Sequence, residues 1–294
     1  MDDLKDYIDQ QINHNRSKNL FHPDLSGITS FSEETIKNIQ KLEGLESGQV
    51  EMLIDYTTEK ALREFCRINQ YLAFGEKDRN DLRTIYQKLY KLICDKEQQI
   101  EDVAKNHYDN LRQWLENTNP FTQQMYPQKE AVLTPAVCSE YDAGLQLEIL
   151  QIDSNRLLQP VLDIGCGRRG NLVSYLRNEG IEAYGIDRFT DDIAYIENVD
   201  WLEYDYGTDK WGTIISNLGF SNHFVHNHLR KDGNFIGYAK KYMDILRSLK
   251  VGGCFHYAPG LPFIEGYLDS KTYSVKKYRI DDLETGGTII QRLE

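Results

Sequence analysis

This 294-residue chain predicts an α/β fold: a mostly parallel sheet preceded by a helical region. Three observations carry that expectation. From Val161 onwards, short apolar strand patterns alternate with amphipathic helix patterns, which argues for a parallel sheet with helices on both faces. The run Val161-Leu162-Asp163-Ile164-Gly165-Cys166-Gly167-Arg168-Arg169-Gly170 takes an apolar strand into a carboxylate, a glycine turn and a helix. Before about residue 130 the apolar spacing is helical instead, so 1–130 reads as a helical cap or bundle and 131–294 as the sheet domain.

The elements follow in order. Phe31-Ser32-Glu33-Glu34 reads as a helix start, with Ser32 as the cap and acids in the first turn. A second helix is expected from Val50 to Leu72 on Leu53, Ile54, Leu62, Phe65 and Ile68, stopping before Gly75. A third runs from Arg79 through Leu82, Tyr86, Leu89, Ile93, Val103, Leu111 and Trp114, with a break around Asp95–Gln99. These helices either cover the sheet or pair two subunits into a homodimer; the stripe of Tyr86, Tyr90, Tyr108 and Trp114 reads as packing. Asn119-Pro120 and Tyr126-Pro127 mark a linker, and Pro135–Leu150 a helix with Tyr141 near its start. Then come a strand at Val161, a helix on Leu172, Val173 and Leu176, and a strand ending Tyr184-Gly185-Ile186-Asp187. Trp211–Ser216 reads as a fourth strand, Ile236–Leu249 as a helix, and a fifth strand ends near Tyr257. Tyr273–Ile280 and Thr288–Leu293 close the sheet.

The glycine run carries the chemistry. Bare backbone before a helix N-terminus lets a nucleotide-like ligand approach closely. Gly165-x-Gly167-x-x-Gly170, with Asp187 about twenty residues on, also fits the dinucleotide fingerprint. Both a dinucleotide and S-adenosylmethionine contain adenosine and want a carboxylate such as Asp187 for the ribose. They differ over the glycines, where one places two phosphates and the other an ammonium and a sulfonium. Asp163, two residues before the first glycine, repels a pyrophosphate and suits an ammonium. A glycine turn that binds nothing remains the plainest alternative, and a nicotinamide oxidoreductase another.

The segment from about Leu133 to Ala258 resembles the class I S-adenosylmethionine-dependent methyltransferases, in which an acidic residue precedes Gly-x-Gly. Asp163, Gly165 and Gly167 match, whereas Arg169 takes the usual third-glycine place and Gly170 follows one residue late. The resemblance implies a Rossmann-like sheet of seven strands, mostly parallel with the last antiparallel. It implies S-adenosyl-L-methionine as cofactor and S-adenosyl-L-homocysteine as product. It places the ribose acid at Asp187, the adenine acid after strand three at Asp205 within Leu202-Glu203-Tyr204-Asp205-Tyr206, Asn217 near the departing methyl group, and Tyr141 in a segment closing over the methionine end. Cys166, between two glycines, completes the expected cofactor contacts.

Methyl transfer is an in-line displacement that needs alignment, exclusion of water and an acceptor for any departing proton. His223, nearest the end of strand four, and His226 one turn later are the general-base candidates, sharing a face if that segment is helical. Tyr257 or His256, at the end of strand five, is expected to meet the acceptor, since alternation sends only one of them to the pocket. Glu265 reads as a surface glutamate, with pairing to a cationic substrate as the alternative. No HExxH pattern occurs, and no metal is expected.

Composition narrows the partners. The formal net charge is −12, from 46 acidic and 34 basic residues, which disfavours a phosphate backbone as substrate. Five cysteines form no CxxC pair and no secreted-type framework. Without a leader pattern or an apolar run of about eighteen residues, a cytoplasmic protein with no membrane partner is expected. The reading is methyl transfer to a nitrogen or oxygen of a small-molecule metabolite. Methylation of a protein side chain, and a non-catalytic cofactor-binding scaffold, are the alternatives.

Overall fold

Apolar residues spaced three and four apart, with acids at the starts, make the first part of the chain helical. The computed structural model describes residues 1–42, 44–95, 98–126, 130–133, 141–280 and 286–294. The chain divides into two compact units, Met1–Val137 and Cys138–Glu294.

In the first unit the helices are α1 (Asp2–His14), α2 (Leu25–Ile28), α3 (Glu33–Asn38), α4 (Ser47–Ile68), α5 (Glu76–Asp95), α6 (Ile100–Thr118) and α7 (Thr122–Met125). Ser32 caps α3 as expected, its Oγ accepting from Thr35 N at 3.1 Å. The anticipated break near Asp95 separates α5 from α6. Leu62, Leu82, Val103 and Leu115 are buried between α4, α5 and α6. Trp114 stacks on Phe74 at 4.8 Å and donates its Nε1 proton to Asp78 O at 3.0 Å. Of the aromatic stripe, Tyr86, Tyr108 and Trp114 are buried within the unit.

The second unit holds α8 (Ala143–Ile149), β1 (Val161–Ile164), α9 (Asn171–Asn178), β2 (Ala183–Asp187), β3 (Ile196–Asn198) and β4 (Trp211–Asn217). It continues with α10 (Phe220–Leu229), α11 (Phe235–Ser248), β5 (Leu249–Ala258), α12 (Pro262–Glu265), β6 (Tyr273–Tyr278) and β7 (Gly287–Arg292). The seven strands lie in the order β3-β2-β1-β4-β5-β7-β6. β1 runs parallel to β2 and β4, β2 to β3 and β4 to β5, and only β7 opposes its neighbours. This is the Rossmann-like sheet that the sequence predicts. Strand alternation buries both faces. Leu162, Ile164, Ile214, Phe255 and Tyr257 pack on Tyr242 and Ile245 of α11, while Val161, Ile215 and Ala258 pack on Leu172, Val173 and Leu176 of α9. Strand order reverses between β1 and β4, which opens a crevice at their carboxyl ends.

Two expectations need correction. The third strand is Ile196–Asn198, upstream of the Leu202–Tyr206 run, because that run curls through turns closed by Asp200 O accepting from Glu203 N and Tyr204 N. The expected helix before β1 spans Ala143–Ile149, started by Asp142 Oδ1 accepting from Leu145 N at 3.0 Å; Cys138, Ser139 and Glu140 lie outside the described residues. None of the described helices is long and apolar enough to cross a membrane.

Candidate functional site

The glycine turn leaves β1 in left-handed conformations, with φ of +76° at Gly165 and at Gly167 and +55° at Gly170. A side chain is strained at each. Gly165 is also pinched, since a Cβ there would stand 3.2 Å from the Trp201 ring and 3.5 Å from Gly219 Cα. Gly170 serves as the left-handed N-cap of α9, and a Cβ there would collide with Ile196 Cδ1 at 2.0 Å. Its one-residue delay relative to the usual motif is therefore absorbed by where the helix starts.

Asp187, at the end of β2, closes the loop by accepting from Gly167 N at 3.1 Å and Phe189 N at 3.1 Å. Burial pushes its carboxyl up, against the pull of those amides and of Arg188. Asp163 is 1% exposed, and its Oδ2 has no hydrogen-bond partner among the described residues. Burial, then the charge of Asp187, pushes its pKa up to about 7. Asn217, at the end of β4, has a buried Oδ1 that is likewise unpartnered. Register explains why these groups meet. Asp163 pairs with Gly185 and with Ile215, so Asp187 and Asn217, each two residues further, point from the same face of adjacent strands. A buried carboxylate oxygen and a buried amide oxygen without donors are acceptors suited to a group carrying several N–H protons. An ammonium fits, and a pyrophosphate does not. The backbone cradle and the orphaned acceptors together fit the cofactor that the sequence implies.

Tyr141 is tied to this loop through its backbone, since its carbonyl accepts from Asn171 Nδ2, at the start of α9, at 3.2 Å. Two expected cofactor contacts are displaced. Asp205 is exposed and accepts from Gly207 N at 3.0 Å, in the turn before β4 rather than at the carboxyl end of β3. Asp200 stands two residues after β3 and takes that place, its Oδ1 accepting from Leu202 N at 2.8 Å. Cys166 turns its thiol inward, onto Gly185, where a Cβ would lie 2.8 Å from Sγ; only its backbone belongs to the loop surface.

The proton-transfer candidates separate sharply. The segment after β4 is helical, and its N-cap Gly219 abuts Gly165. His223 is buried with its ring edge-on to Trp201 at 4.8 Å. Burial, then Arg188 and His226, holds it well below the ordinary imidazole range. His226 faces Arg230 Nη1 at 3.2 Å through Nε2; the guanidinium only donates, so that lone pair is taken. Burial and Arg230 lower its pKa as well. Tyr257 is 0% exposed on the opposite face, with its hydroxyl on Glu265 Oε1 at 2.9 Å and Tyr242 Oη at 3.0 Å. It cannot meet an acceptor at the pocket. Glu265 is 3% exposed, not a surface residue; it accepts from Tyr257, Thr288 and Leu261 N and pairs with Lys277 at 2.9 Å.

The residue that alternation favours is His256. It pairs with Ile215, which pairs with Asp163, so its side chain shares the face of the orphaned oxygens. Its Nδ1 lies 3.2 Å from Leu150 O. A carbonyl only accepts, so Nδ1 carries the proton and Nε2 the lone pair. Burial lowers its pKa. Arg188 is a further residue that motif spacing does not flag; its guanidinium stands 5.6 Å over the Trp201 ring. Among the described residues no group of three or more His, Cys, Asp or Glu could hold a metal ion.

No protein-family model and no curated protein matches this chain. Among solved structures it is similar to a TehB-like S-adenosylmethionine-dependent methyltransferase from Corynebacterium glutamicum, at 18% identity over 45% of this chain and 79% of that chain, with a TM-score of 0.33. It is similar to the N-methyltransferase NodS from Bradyrhizobium japonicum, at 13% identity over 60% and 99% of the two chains, with a TM-score of 0.36. A third is the 1,6-didemethyltoxoflavin-N1-methyltransferase from Burkholderia thailandensis, with bound 1,6-didemethyltoxoflavin and S-adenosylhomocysteine, at 15% identity over 46% and 71%, with a TM-score of 0.33.

Proposed function

We propose that the second unit binds S-adenosylmethionine over the Gly165–Gly167 turn and transfers its methyl group to a nitrogen or oxygen of a small molecule. The carrying observation is the pair of buried, partnerless acceptor oxygens, Asp163 Oδ2 and Asn217 Oδ1, beside a left-handed glycine turn. The cofactor would supply an electrophilic methyl group on a positively charged sulfur. Asp163 and Asn217 would take its ammonium, and the bare backbone of Gly165 and Gly167 would admit it closely. Asp187, already fixed by two amides, would face the ribose hydroxyls, and Asp200 the adenine.

His256 Nε2 is assigned the departing proton of the acceptor, because its tautomer leaves that lone pair directed away from Leu150 O. His223 has the weaker case, since a base held well below its ordinary pKa between a cation and an indole gains little by accepting a proton. An isotopically labelled methyl donor incubated with pooled metabolites and with basic peptides tests the acceptor class. Label entering a metabolite supports the reading; label confined to peptides replaces it with protein methylation. His256→Gln should lower kcat by about 100-fold or more while S-adenosylhomocysteine still binds. An unchanged kcat would remove His256 from the role.

A further inference from the structure

The helical unit contains a cavity of about 230 Å³ whose lining residues all fall within Met1–Val137. Its walls are largely aliphatic and aromatic, among them Ile54, Ala61, Leu89, Ile93 and Leu111. Close-packed interiors seldom leave such a void, because every wall atom facing it forfeits dispersion contacts. An apolar cavity of about 150 Å³ already accepts benzene, so this one has room for a fused bicyclic ring or a ring with a short chain.

The wall carries a buried polar atom without a partner. His107, on α6, is 6% exposed, and its Nδ1 has no hydrogen-bond partner among the described residues. The ring is held between Phe31 at 6.5 Å, Tyr86 at 5.3 Å and Tyr108 at 5.1 Å, so the nitrogen cannot swing out to find water. Burial drives its pKa down to about 3, leaving the imidazole uncharged. The amide side chains nearby are already engaged. Gln11 donates to Ser30 O at 2.9 Å and accepts from Ser32 N at 2.8 Å, and Asn15 donates to Ser30 O at 2.9 Å. The charged residues in the wall are partnered too, Lys18 with Asn15 Oδ1 at 2.7 Å and Glu64 with Arg67 at 2.7 Å. The site therefore offers a largely apolar volume, an unpartnered neutral imidazole nitrogen and, among the described residues of its wall, no unpaired charge to hold an ion.

We propose that this cavity binds a small uncharged aromatic or alicyclic alcohol of roughly nine to eleven non-hydrogen atoms, with its hydroxyl on His107 Nδ1. A hydroxyl suits either imidazole tautomer, since it both donates and accepts. The site is independent of the glycine turn, and its test needs no methyl transfer. Full-length protein is titrated with 2-naphthol and with naphthalene, followed by probe fluorescence. Saturable binding is expected for both, tighter for 2-naphthol. His107→Phe keeps the ring but removes the nitrogen. It should weaken 2-naphthol about 3- to 10-fold, the worth of one neutral hydrogen bond, and leave naphthalene within about twofold. Ala61→Leu, which adds volume to the wall, should weaken both while far-UV circular dichroism stays helical. Absence of saturable binding to the unaltered protein would overturn the proposal. So would equal affinity for the two probes, or an equal loss of both on His107→Phe, which would reduce His107 to packing.

Discussion

Replacing Asp163 by Asn should strengthen the empty protein at pH 8 and cripple ligand binding, a combination that ordinary core damage does not produce. Asp163 is buried, its Oδ2 lacks a donor, and its pKa stands at about 7 against an ordinary 3.8. A group whose folded pKa is raised takes up a proton on folding between those two values. Its contribution to stability is therefore full below pH 3.8 and is lost as the pH rises to about 7. At about 1.36 kcal/mol per unit, the rise from 3.8 to about 7 removes about 4 kcal/mol by pH 8. Asn cannot ionise and escapes this loss, but its amide N–H brings an unsatisfied donor costing about 1–3 kcal/mol. The curves should cross: Asp163→Asn less stable than the unaltered protein by about 1–3 kcal/mol near pH 4, and more stable by about that amount at pH 8. Thermal unfolding at a series of pH values reads the difference, and the transition that S-adenosylhomocysteine shifts identifies the sheet unit. Ligand binding reverses the sign, because an ammonium stabilises the ionised carboxylate. Calorimetry at pH 7 in two buffers of different ionisation enthalpy should show about half a proton released by the unaltered protein and none by the variant. Affinity should drop about 10- to 100-fold, the worth of a charge-assisted hydrogen bond. A variant that binds S-adenosylhomocysteine as tightly as the original would refute the ammonium receptor. A variant less stable at every pH would refute the buried-charge reasoning.

Two further substitutions address the buried network on the opposite face. Tyr257→Phe should cost about 0.5–1.5 kcal/mol of stability and leave kcat within about twofold; a large loss of turnover would return Tyr257 to the acceptor site. For Glu265, burial raises the pKa, but the Leu261 amide, Lys277, Thr288 and Tyr257 outweigh it and the net shift is downward. Its stabilisation is therefore present above pH 4.5 and lost as the pH falls through the lower folded value. Glu265→Gln should cost about 1–3 kcal/mol at pH 7 and flatten the acid limb of stability below pH 4.5, read by urea unfolding; an unaltered acid limb would contradict the assignment.

Much of the sheet was legible because its central strands are apolar runs bounded by turn residues. Trp211–Asn217 is buried along nearly its whole length, and a pattern of that kind has few other homes. β3 was not legible. Its three residues are one half-buried isoleucine and two exposed polar side chains, so the alternating Leu202-Glu203-Tyr204-Asp205-Tyr206 reads as the strand instead and puts the adenine acid a few residues too far along. α1 (Asp2–His14) was missed as well. Leu4, Tyr7, Ile8 and Ile12 do recur at helical spacing, but none of its residues is fully buried. The α5–α6 break was legible because the charged stretch around Lys96 interrupts two well-formed apolar stripes.

The site shows where sequence proximity misleads and strand parity does not. His223 and Tyr257 both lie next to strand ends, yet a strand end presents two faces, and the glycine turn uses one. Asp163, Asp187 and Asn217 fall on that face because β1 pairs with Gly185 and Ile215 in a register that keeps all three in phase. Carrying the same register one strand further selects His256 and excludes Tyr257, one residue away. That step needs the pairing, which no single strand contains. The opposite parity explains why Tyr257 and Glu265 could evolve a closed hydrogen-bonded network: on that face α11 and α12 cover the sheet, and buried polar groups persist only when they satisfy one another. On the cofactor face two acceptors are left without donors. Those two acceptors stand beside the left-handed glycine turn, which is why the proposed cofactor site is drawn on that face.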